Sequence, residues 1–287
     1  MRRSYFPKTM KHSPLTQSKD RLSSNLPFYI ALFLLSGFYL ALIVALLIAD
    51  IAFISPQNLL ALFSSPEIRY SMCLSLLSSS LSALFSLWIA VPTAYLFARY
   101  DFAGKNFLDA LLDIPIVLPP LVVGLSLLIL FQTPAGESLE SIIPFTYAVP
   151  GVILAQFTVA CAFAIRVMRA SFEQNDPRRE QVALTLGCSR AQSFWLIAFP
   201  EVKQGMLAAG TMAWARSLGE FGPVLIFCGT TRMRTEVLPT SIFLEMSSGN
   251  LHGAVAIAVL MIVIAVLVLA IIRATAPQSP TFAGNYR

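Results

Sequence analysis

Apolar runs of bilayer length restrict what this chain can fold into more than any other feature. About 20 apolar residues, at roughly 1.5 Å rise per residue, cross a hydrocarbon core about 30 Å thick. The stretches that meet this requirement are Phe28–Ile48, Tyr70–Ala98, Leu111–Phe131, Ser141–Met168, Met206–Gly229 and Leu251–Ile272. These runs are continuous rather than alternating, which favours internally hydrogen-bonded helices over a β-barrel. The sequence therefore predicts an all-α polytopic membrane protein with six spanning helices.

Basic residues are distributed unevenly between the predicted connections, and this sets the expected orientation. One side carries Arg2, Arg3, Lys8, Lys11, Lys19, Arg21, Arg99, Lys105, Arg166, Arg169, Arg178, Arg179, Arg190, Lys203, Arg273 and Arg287. The opposite side carries Arg69, Arg232 and Arg234. By the positive-inside rule, both termini and the connection between helices four and five are expected to be cytoplasmic. The net charge of +5 reports this topology and gives little support to nucleic-acid binding.

Composition divides the chain into a membrane domain and two shorter ends. Residues 1–27, rich in Ser, Lys and Pro, are predicted to be a disordered cytoplasmic extension. Residues 28–273 form the predicted membrane domain, with a cytoplasmic loop at about 169–205, and residues 274–287 are a cytoplasmic tail. The run Phe28–Ile48 exceeds the apolar core of about 7–15 residues found in signal peptides, so we interpret it as a retained helix.

Residues for catalysis, metal binding or nucleotide binding are scarce. The histidines are His12 and His252, and the cysteines are scattered singly at Cys73, Cys161, Cys188 and Cys228. No spacing typical of a zinc site or a disulfide framework results. The phosphate-cradling motif G-x-x-x-x-G-K-[ST] does not occur. We therefore predict no catalytic residue, no metal and no cofactor, and if this protein does work, the energy comes from elsewhere.

The most specific motif lies in the predicted cytoplasmic loop. Gln181-Val182-Ala183, Gly187, Ile197 and Phe199-Pro200 keep the spacing of the motif E-A-A, three residues, Gly, nine residues, Ile-x-Leu-Pro. This loop resembles that of ABC importer permeases, where it docks on the ATPase. It departs from the motif with Gln181 for the acid, Glu180 standing one position earlier, Val182 for Ala and Phe199 for Leu. The residues predicted for ATPase coupling are Glu180, Gln181, Ala183, Gly187, Ile197 and Pro200.

The loop motif also predicts local structure. A short helix is expected over Glu180–Leu186, ended by Gly187 because glycine accepts left-handed backbone. A second helix is expected over Arg190–Phe199, stopped by Pro200. Ala183 and Gly187 would then be small contact points where another protein approaches closely. An ordinary amphipathic connection between helices is the alternative interpretation.

A narrower resemblance concerns the transported substrate. Asp113–Pro120, Ala215–Gly222 and Arg234–Pro239 resemble the molybdate, tungstate and sulfate group of ABC permeases, and the resemblance covers roughly residues 70–272. It implies a homodimer or pseudo-dimer of permeases, two ATPase subunits docked on the loops, and an extracytoplasmic binding protein that delivers the oxyanion. Molybdate or tungstate is expected first and sulfate second. A polyamine, iron or phosphonate permease, a secondary carrier or channel, and a membrane scaffold remain alternatives, although no convincing inverted repeat favours a carrier.

Charged residues inside the fifth apolar run support two interpretations. Arg216 lies about 15 Å past the cytoplasmic end of this run, near the bilayer middle, where an ionisable group is costly. Glu220 follows four residues later, so the two side chains share a helix face and can pair. They either form a structural pair that tightens packing, or Arg216 also lines the path and contacts a passing oxyanion.

Prolines and glycines mark places where two predicted helices should deform. Pro115, Pro119 and Pro120 are expected to bend or break helix three, and Gly219, Gly222 and Pro223 to loosen helix five. These breaks suit a translocation path as well as simple kinks. The residues predicted to line or gate a path are Arg216, Glu220, Gly222, Pro119 and Pro120. Asp113 is interpreted as a snorkelling or capping residue rather than a proton relay.

A charged segment precedes helix six on the predicted outer side. Arg232, Arg234 and Glu236 come before Leu238-Pro239, and Ile242, Phe243 and Met246 follow at helical spacing. The segment is either a short re-entrant or interfacial helix that receives the binding protein, or a solvated charged turn. Under the first interpretation, Arg232, Arg234 and Glu236 contact the binding protein.

Overall fold

The computed structural model describes residues 26–53 and 65–275, and the regular elements in these ranges are all helices. In chain order they are α1 (Leu26–Phe53), α2 (Pro66–Arg99), α3 (Lys105–Val117), α4 (Pro120–Phe131), α5 (Pro134–Glu140), α6 (Val149–Gln174), α7 (Arg178–Thr185), α8 (Arg190–Ser193), a π-helical turn (Phe194–Ala198), α9 (Phe199–Glu201), α10 (Lys203–Leu218), α11 (Gly222–Cys228), α12 (Leu238–Ser247) and α13 (Leu251–Thr275). The all-α prediction is confirmed. The predicted N-terminal extension and C-terminal tail lie outside the described residues, apart from their inner ends. The chain divides into two compact units at Phe53, so α1 is described by itself.

Long apolar helices account for four candidate membrane spans among the described residues. They are α1, α2, α6 and α13, and the bent pair α3 and α4 makes a fifth if it is counted as one span. The predicted fifth span, Met206–Gly229, is not a continuous helix. It consists of α10 and α11, separated at Gly219–Phe221. Glycine at positions 219 and 222, with Pro223 in the first turn of α11, explains the break because glycine tolerates irregular backbone and proline starts a new helix.

The bend between α3 and α4 lies where the sequence places two consecutive prolines. The two helices differ in direction by 111°. Leu118 and Pro119 have extended backbone, with ψ of 139° and 134°, as residues before proline prefer. Pro115 lies inside α3 without ending it. The expectation that prolines break helix three is therefore confirmed, with the break at Pro119 and Pro120.

The core of the larger unit is built on α2 and α6, which pack along one another, with α10 against both. Small polar residues on the buried face of α2 are Ser71, Ser75, Ser78, Ser79, Ser82 and Ser86. Small side chains let helices approach closely in a membrane, and serines can also bond across the contact. The Ser82 hydroxyl donates to the Ile153 carbonyl at 2.9 Å.

Helix α6 begins and ends later than the predicted Ser141–Met168. At its start, the Glu140 carboxylate accepts hydrogen bonds from the backbone N–H groups of Phe145 and Thr146, which holds residues 141–148 in a turn. At its end, Arg166 and Arg169 lie within the helix instead of the following loop, which corrects their predicted location. Asp113 and Asp109 of α3 pair with them, and this compensates their charge where the helix continues.

Candidate functional site

The loop between α6 and α10 begins with helix α7 and a turn at Gly187. Gly187 has φ of +94°, which confirms the predicted left-handed end of the helix. Its N–H donates to the Leu184 carbonyl, and the Cys188 N–H donates to the Ala183 carbonyl, both at 3.1 Å. These bonds satisfy carbonyls that the end of a helix leaves without partners. A β-carbon on Gly187 would meet no atom within 4 Å, so backbone conformation rather than space demands glycine here.

The second helical part of the loop departs from the prediction at Pro200. Ser189 caps α8 reciprocally with Gln192, through bonds of 3.2 and 2.8 Å. The chain then widens into the π-helical turn, in which the Phe199 N–H bonds to the Phe194 carbonyl. Pro200 lies in the first turn of α9 and does not stop the helix, because the wider turn before it accommodates a ring that has no N–H to donate. The helix ends instead after Glu201.

Helix α7 has one face turned into the protein and one turned away from it. Glu180 and Ala183, three residues apart, are buried, whereas Val182 and Leu186, four residues apart, are exposed, Leu186 at 81%. Gln181 and Gly187 are exposed, and Ile197 is half-buried. Ala183 is therefore not the surface contact that the sequence suggests, since its methyl group faces the interior. The exposed apolar face of Val182 and Leu186, continued by Gly187, is what a partner would meet.

The buried face of α7 is fixed by Glu180. One carboxylate oxygen accepts a hydrogen bond from Arg99 Nε at 2.8 Å, and the other accepts from the Tyr95 hydroxyl at 2.7 Å. Arg99 Nη2 also donates to the Asn175 carbonyl at 3.1 Å. The Ser193 hydroxyl donates to the Glu180 backbone carbonyl at 3.3 Å. We call Tyr95, Arg99, Asn175, Glu180 and Ser193 the Glu180 node.

The sequence did not identify the partners of Glu180. Arg99 is 81 residues away in the chain, at the end of α2, and no local pattern connects it with the loop. A small cleft of about 200 Å³ lies beside the node, with Tyr100 and Arg190 in its wall. A second ion pair, between Arg179 and Glu201 at 2.8 Å, joins α7 to α9 at the surface. Its hydrogen bond raises the pKa of the Arg179 guanidinium above its ordinary value.

The predicted pair Arg216 and Glu220 is present at the junction of α10 and α11. Arg216 Nη1 lies 2.8 Å from Glu220 Oε2, and the Arg216 side chain is 29% exposed, next to the Phe163 ring. Glu220 is 1% exposed, and neither of its carboxylate oxygens accepts a hydrogen bond of good geometry from the described residues. The neighbouring Ser217 hydroxyl is buried and also lacks a hydrogen bond in this part of the chain. The pair is therefore close but incompletely satisfied.

Helices α4 and α11 meet where the sequence places prolines opposite glycines. A β-carbon on Gly222 would lie 2.9 Å from Pro120 Cβ, and one on Gly124 would lie 2.8 Å from Pro223 Cα. Such distances require neighbouring atoms to shift, so glycine is needed at both positions for close approach. Of the residues predicted to line a path, Gly222 and Pro120 are thus in contact, with Pro119 next to them and Glu220 two residues before Gly222.

The charged segment before α13 is a turn at residues 232–235, with Arg232 and Arg234 exposed, and helix α12 follows it, so elements of both interpretations are present. Helix α12 packs on α13 and α2, and the Leu238 N–H donates to the Ser75 hydroxyl at 2.7 Å. Arg232 pairs with Glu245 at 2.7 Å and, like Arg234, is exposed. Glu236 is buried, and burial raises the pKa of its carboxyl. This corrects the expectation that Glu236 contacts a binding protein, because its side chain does not reach the surface.

No arrangement of three or more His, Cys, Asp or Glu side chains able to hold a metal ion occurs in residues 26–53 and 65–275. The four cysteines are unpaired and lie at separate places. The described residues present a loop with an exposed apolar face, a charge pair with incomplete hydrogen bonding and a close proline–glycine contact. This arrangement suits conformational change more than covalent chemistry.

Comparisons with known proteins agree with this geometry. A family profile described as "Binding-protein-dependent transport system inner membrane component" matches residues 86–278. The sulfate transport system permease protein CysT of Escherichia coli (strain K12) is 31% identical over 251 residues, covering 82% of this chain and 91% of that protein. The molybdenum transport system permease protein ModB of the same strain is 34% identical over 215 residues, covering 73% of this chain and 93% of ModB.

A solved structure with the same fold supports the helical architecture. It is the crystal structure of a bacterial alginate ABC transporter in complex with an alginate pentasaccharide-bound periplasmic protein. The superposition has a TM-score of 0.71 at 18% sequence identity and covers 91% of this chain and 99% of the matched chain. At this identity the likeness concerns the fold alone.

Proposed function

The chain belongs to the family of binding-protein-dependent transport system inner membrane components, and from its likeness to a molybdenum permease we propose that it imports molybdate or tungstate. It is a multi-pass inner membrane protein and the pore-forming permease subunit of an ABC importer, not an ATPase. Separate ATPase subunits and a substrate-binding protein are its partners. The relative ModB, matched over 93% of its length, supports molybdate as the first substrate.

Sulfate is the second candidate substrate. The match to CysT supports it, because the identity of 31% extends over 82% of this chain. Both anions are tetrahedral and doubly charged, so the permease path alone offers little basis for choosing between them. The binding protein, which holds the anion before transfer, is the better place to measure selectivity.

The orientation that fits this function places both termini and the loop around α7 in the cytoplasm. The loop end of the described chain carries Arg99, Lys105, Arg178, Arg179, Arg190 and Lys203. The other end carries Arg69, Arg232 and Arg234. This asymmetry is what the positive-inside rule requires of a cytoplasmic loop. In this orientation α12 faces the side from which the binding protein delivers its anion, with Arg232 and Arg234 available for contact.

The single observation that carries the proposal is the geometry of the loop. Gly187 at φ of +94° ends α7 so that Val182, Leu186 and Gly187 form one exposed apolar face. An exposed apolar face on a polar loop indicates a protein partner. Arg178 and Arg190, both exposed, lie on the two loop helices that carry this face. The ATPase surface that receives it should therefore be an apolar cleft with acidic residues nearby.

The path for the anion would run beside α4, α10 and α11 in a dimer of two copies of this chain. ATP-driven closure of the ATPase subunits would move the loop and tilt these helices between inward-open and outward-open states. Arg216, whose side chain is partly exposed, can offer a charge-assisted contact to an oxyanion. Such a tilt would change the close contact between Pro120 and Gly222.

The test is transport by the complete system. The chain would be reconstituted in proteoliposomes with its ATPase and binding protein, and uptake of molybdate, tungstate and sulfate measured with and without ATP. The binding protein would be titrated with the same three anions. We expect ATP-dependent uptake of molybdate and tungstate, with sulfate a weak competitor. Stronger uptake of sulfate would select the second candidate, and uptake that needs no ATP would contradict the proposal.

A further inference from the structure

The Glu180 node joins four separate pieces of the chain around one carboxylate. Tyr95 and Arg99 belong to the last turns of α2, Asn175 lies at the end of α6, Glu180 is in α7, and Ser193 ends α8. Both Glu180 carboxylate oxygens accept hydrogen bonds from α2, at 2.7 and 2.8 Å. The backbone of the same residue accepts from α8. Movement of α7 relative to α2 would therefore break several bonds at once.

The node is much better shielded from solvent than the other ion pair of the loop. The side chains of Arg99 and Glu180 are each 10% exposed, whereas Arg179, paired with Glu201, is 68% exposed. An exposed pair is weakened by water and salt and holds its partners loosely. Removing one partner of a buried pair leaves an unpaired charge, which is far more costly. The Glu180 node therefore holds α7 firmly against α2, whereas the exposed Arg179–Glu201 pair holds α7 and α9 together only loosely.

The docking face and the node lie on opposite sides of the same short helix. Val182 and Leu186 point outward, and Glu180 and Ala183 point inward. The motif departure explains the arrangement: Gln181 occupies the position of the usual acid and is exposed, while the acid has moved to the inward position 180. A partner can therefore press on α7 without competing for its carboxylate.

From these contacts we infer that Glu180, held by Arg99 and Tyr95, is a positioning residue that transmits movement of the docked loop to α2. Helix α2 packs along α6 through its buried serines and reaches the Ile153 carbonyl through Ser82. A contiguous set of bonds thus runs from the docking helix into the membrane part of the protein. The inference rests on the proposed function, since it assumes that an ATPase docks on the loop.

The experiment separates docking from transmission. Glu180→Gln, Tyr95→Phe and the reversed pair Arg99→Glu with Glu180→Arg would be compared with the unchanged chain in proteoliposomes containing ATPase and binding protein. The matched control is Arg179→Gln, which removes the exposed pair of the same helix. Three quantities would be measured: the amount of ATPase that co-purifies, the rate of ATP hydrolysis, and the number of molybdate ions imported per ATP hydrolysed.

We expect Glu180→Gln to retain ATPase co-purification but to import about tenfold fewer molybdate ions per ATP, a loss within the usual range of coupling between sites. Tyr95→Phe, which removes one hydrogen bond, should give a smaller loss of the same kind. The reversed pair should recover part of the ratio, and Arg179→Gln should match the unchanged chain.

An unaltered ratio in Glu180→Gln would overturn the inference. So would loss of ATPase co-purification in that variant, because the node would then shape the docking face itself, and so would an equal loss in Arg179→Gln. If Glu180→Gln does not accumulate in the membrane, Tyr95→Phe decides, because it keeps the ion pair. Failure of the unchanged chain to bind the ATPase would instead contradict the proposed function.

Discussion

Glu180, in α7, and Glu220, at the junction of α10 and α11, are both buried beside an arginine, yet their surroundings differ. Glu180 accepts hydrogen bonds at both carboxylate oxygens, and its arginine is as buried as itself. Glu220 is more deeply buried, but its carboxylate has only the nearby Arg216 nitrogen, outside good hydrogen-bond geometry, and Arg216 is partly exposed.

The difference indicates that Glu180 is held in one arrangement, whereas Glu220 can change its partners. A buried polar group with all its bonds made resists movement, because every alternative arrangement leaves a charge unsatisfied. A buried group with bonds missing can gain from a rearrangement that supplies them. We therefore expect the loop end to move as one body and the junction at Glu220 to exchange contacts during that movement.

The largest expected effect comes from Gly187→Asp, which alters the turn and the docking face at the loop end. A residue with a β-carbon disfavours φ of +94°, and the added side chain projects from the docking face. We expect normal insertion in the membrane with ATPase co-purification and molybdate uptake both abolished. Ser189→Asp is the control, because it adds the same charge two residues away and keeps a capping oxygen. Normal uptake by Gly187→Asp would remove the basis for assigning this loop to ATPase coupling.

A smaller effect is expected from the pair at the junction, tested by Arg216→Met, Glu220→Gln and both together. If the residues only pair, each single change leaves a group without its partner, and the double change restores both folding and uptake. If Arg216 also contacts the anion, the double variant folds but imports molybdate about tenfold more slowly. We expect the second result, measured as initial uptake rate at equal protein in the membrane. Full uptake by the double variant would leave Arg216 a packing role alone.

The stability of variants at Glu180 and Glu220 compares the same two regions without a transport measurement. Glu180→Gln leaves the buried Arg99 charge without its partner, so we expect a loss of about 3–5 kcal/mol in the free energy of unfolding. Glu220→Gln should cost less, because Arg216 reaches solvent and can be hydrated. Thermal unfolding of the two variants in the same detergent measures the order. An equal or larger loss in Glu220→Gln would mean that the junction is as rigid as the loop end.

The smallest effect is expected from single cysteines, which test only which side of the membrane the loop end faces. Single cysteines at Ser189 and Ser138, both exposed, would be introduced in a cysteine-free background and treated with an impermeant thiol reagent in oriented vesicles. We expect Ser189→Cys to react from the cytoplasmic side and Ser138→Cys from the opposite side, because α6 alone separates them. Reaction of both from one side would show that the span count between them is wrong. Uptake should be unchanged in both variants.

Local signals in the sequence explain which parts of the fold and the site could be predicted. The apolar runs predict the long helices, and Gly187 predicts the turn, because both kinds of element depend on residues close together in the chain. The consecutive prolines gave the break before α4 but not its angle of 111°, which the contact with α11 helps to fix. The sequence alone does not place Arg166 and Arg169 inside a helix, because their ion-pair partners lie in α3, more than 50 residues earlier.

Long-range contacts decided the remaining residues. Nothing in the local pattern distinguishes the inward Glu180 from the outward Gln181, since the choice is made by Arg99 and Tyr95 of α2. Glu236 lies among charged residues and was expected at the surface, but the packing of α12 against α2 and α13 covers it. The serines of α2 read as polar interruptions of an apolar run, and their shared buried face becomes informative only once α6 is placed against it.

The interrupted helices have a consequence for biogenesis. Helix α4 has 12 residues and α11 has 7, so at about 1.5 Å per residue neither crosses a bilayer core about 30 Å thick. Their exposed backbone ends must be satisfied by other protein segments before lipid surrounds them. Helix α11 is synthesised only after α6 and the whole loop, so α4 is made well before the partner that it contacts. The contact between α4 and α11 can therefore form only after α6 and the loop have been synthesised.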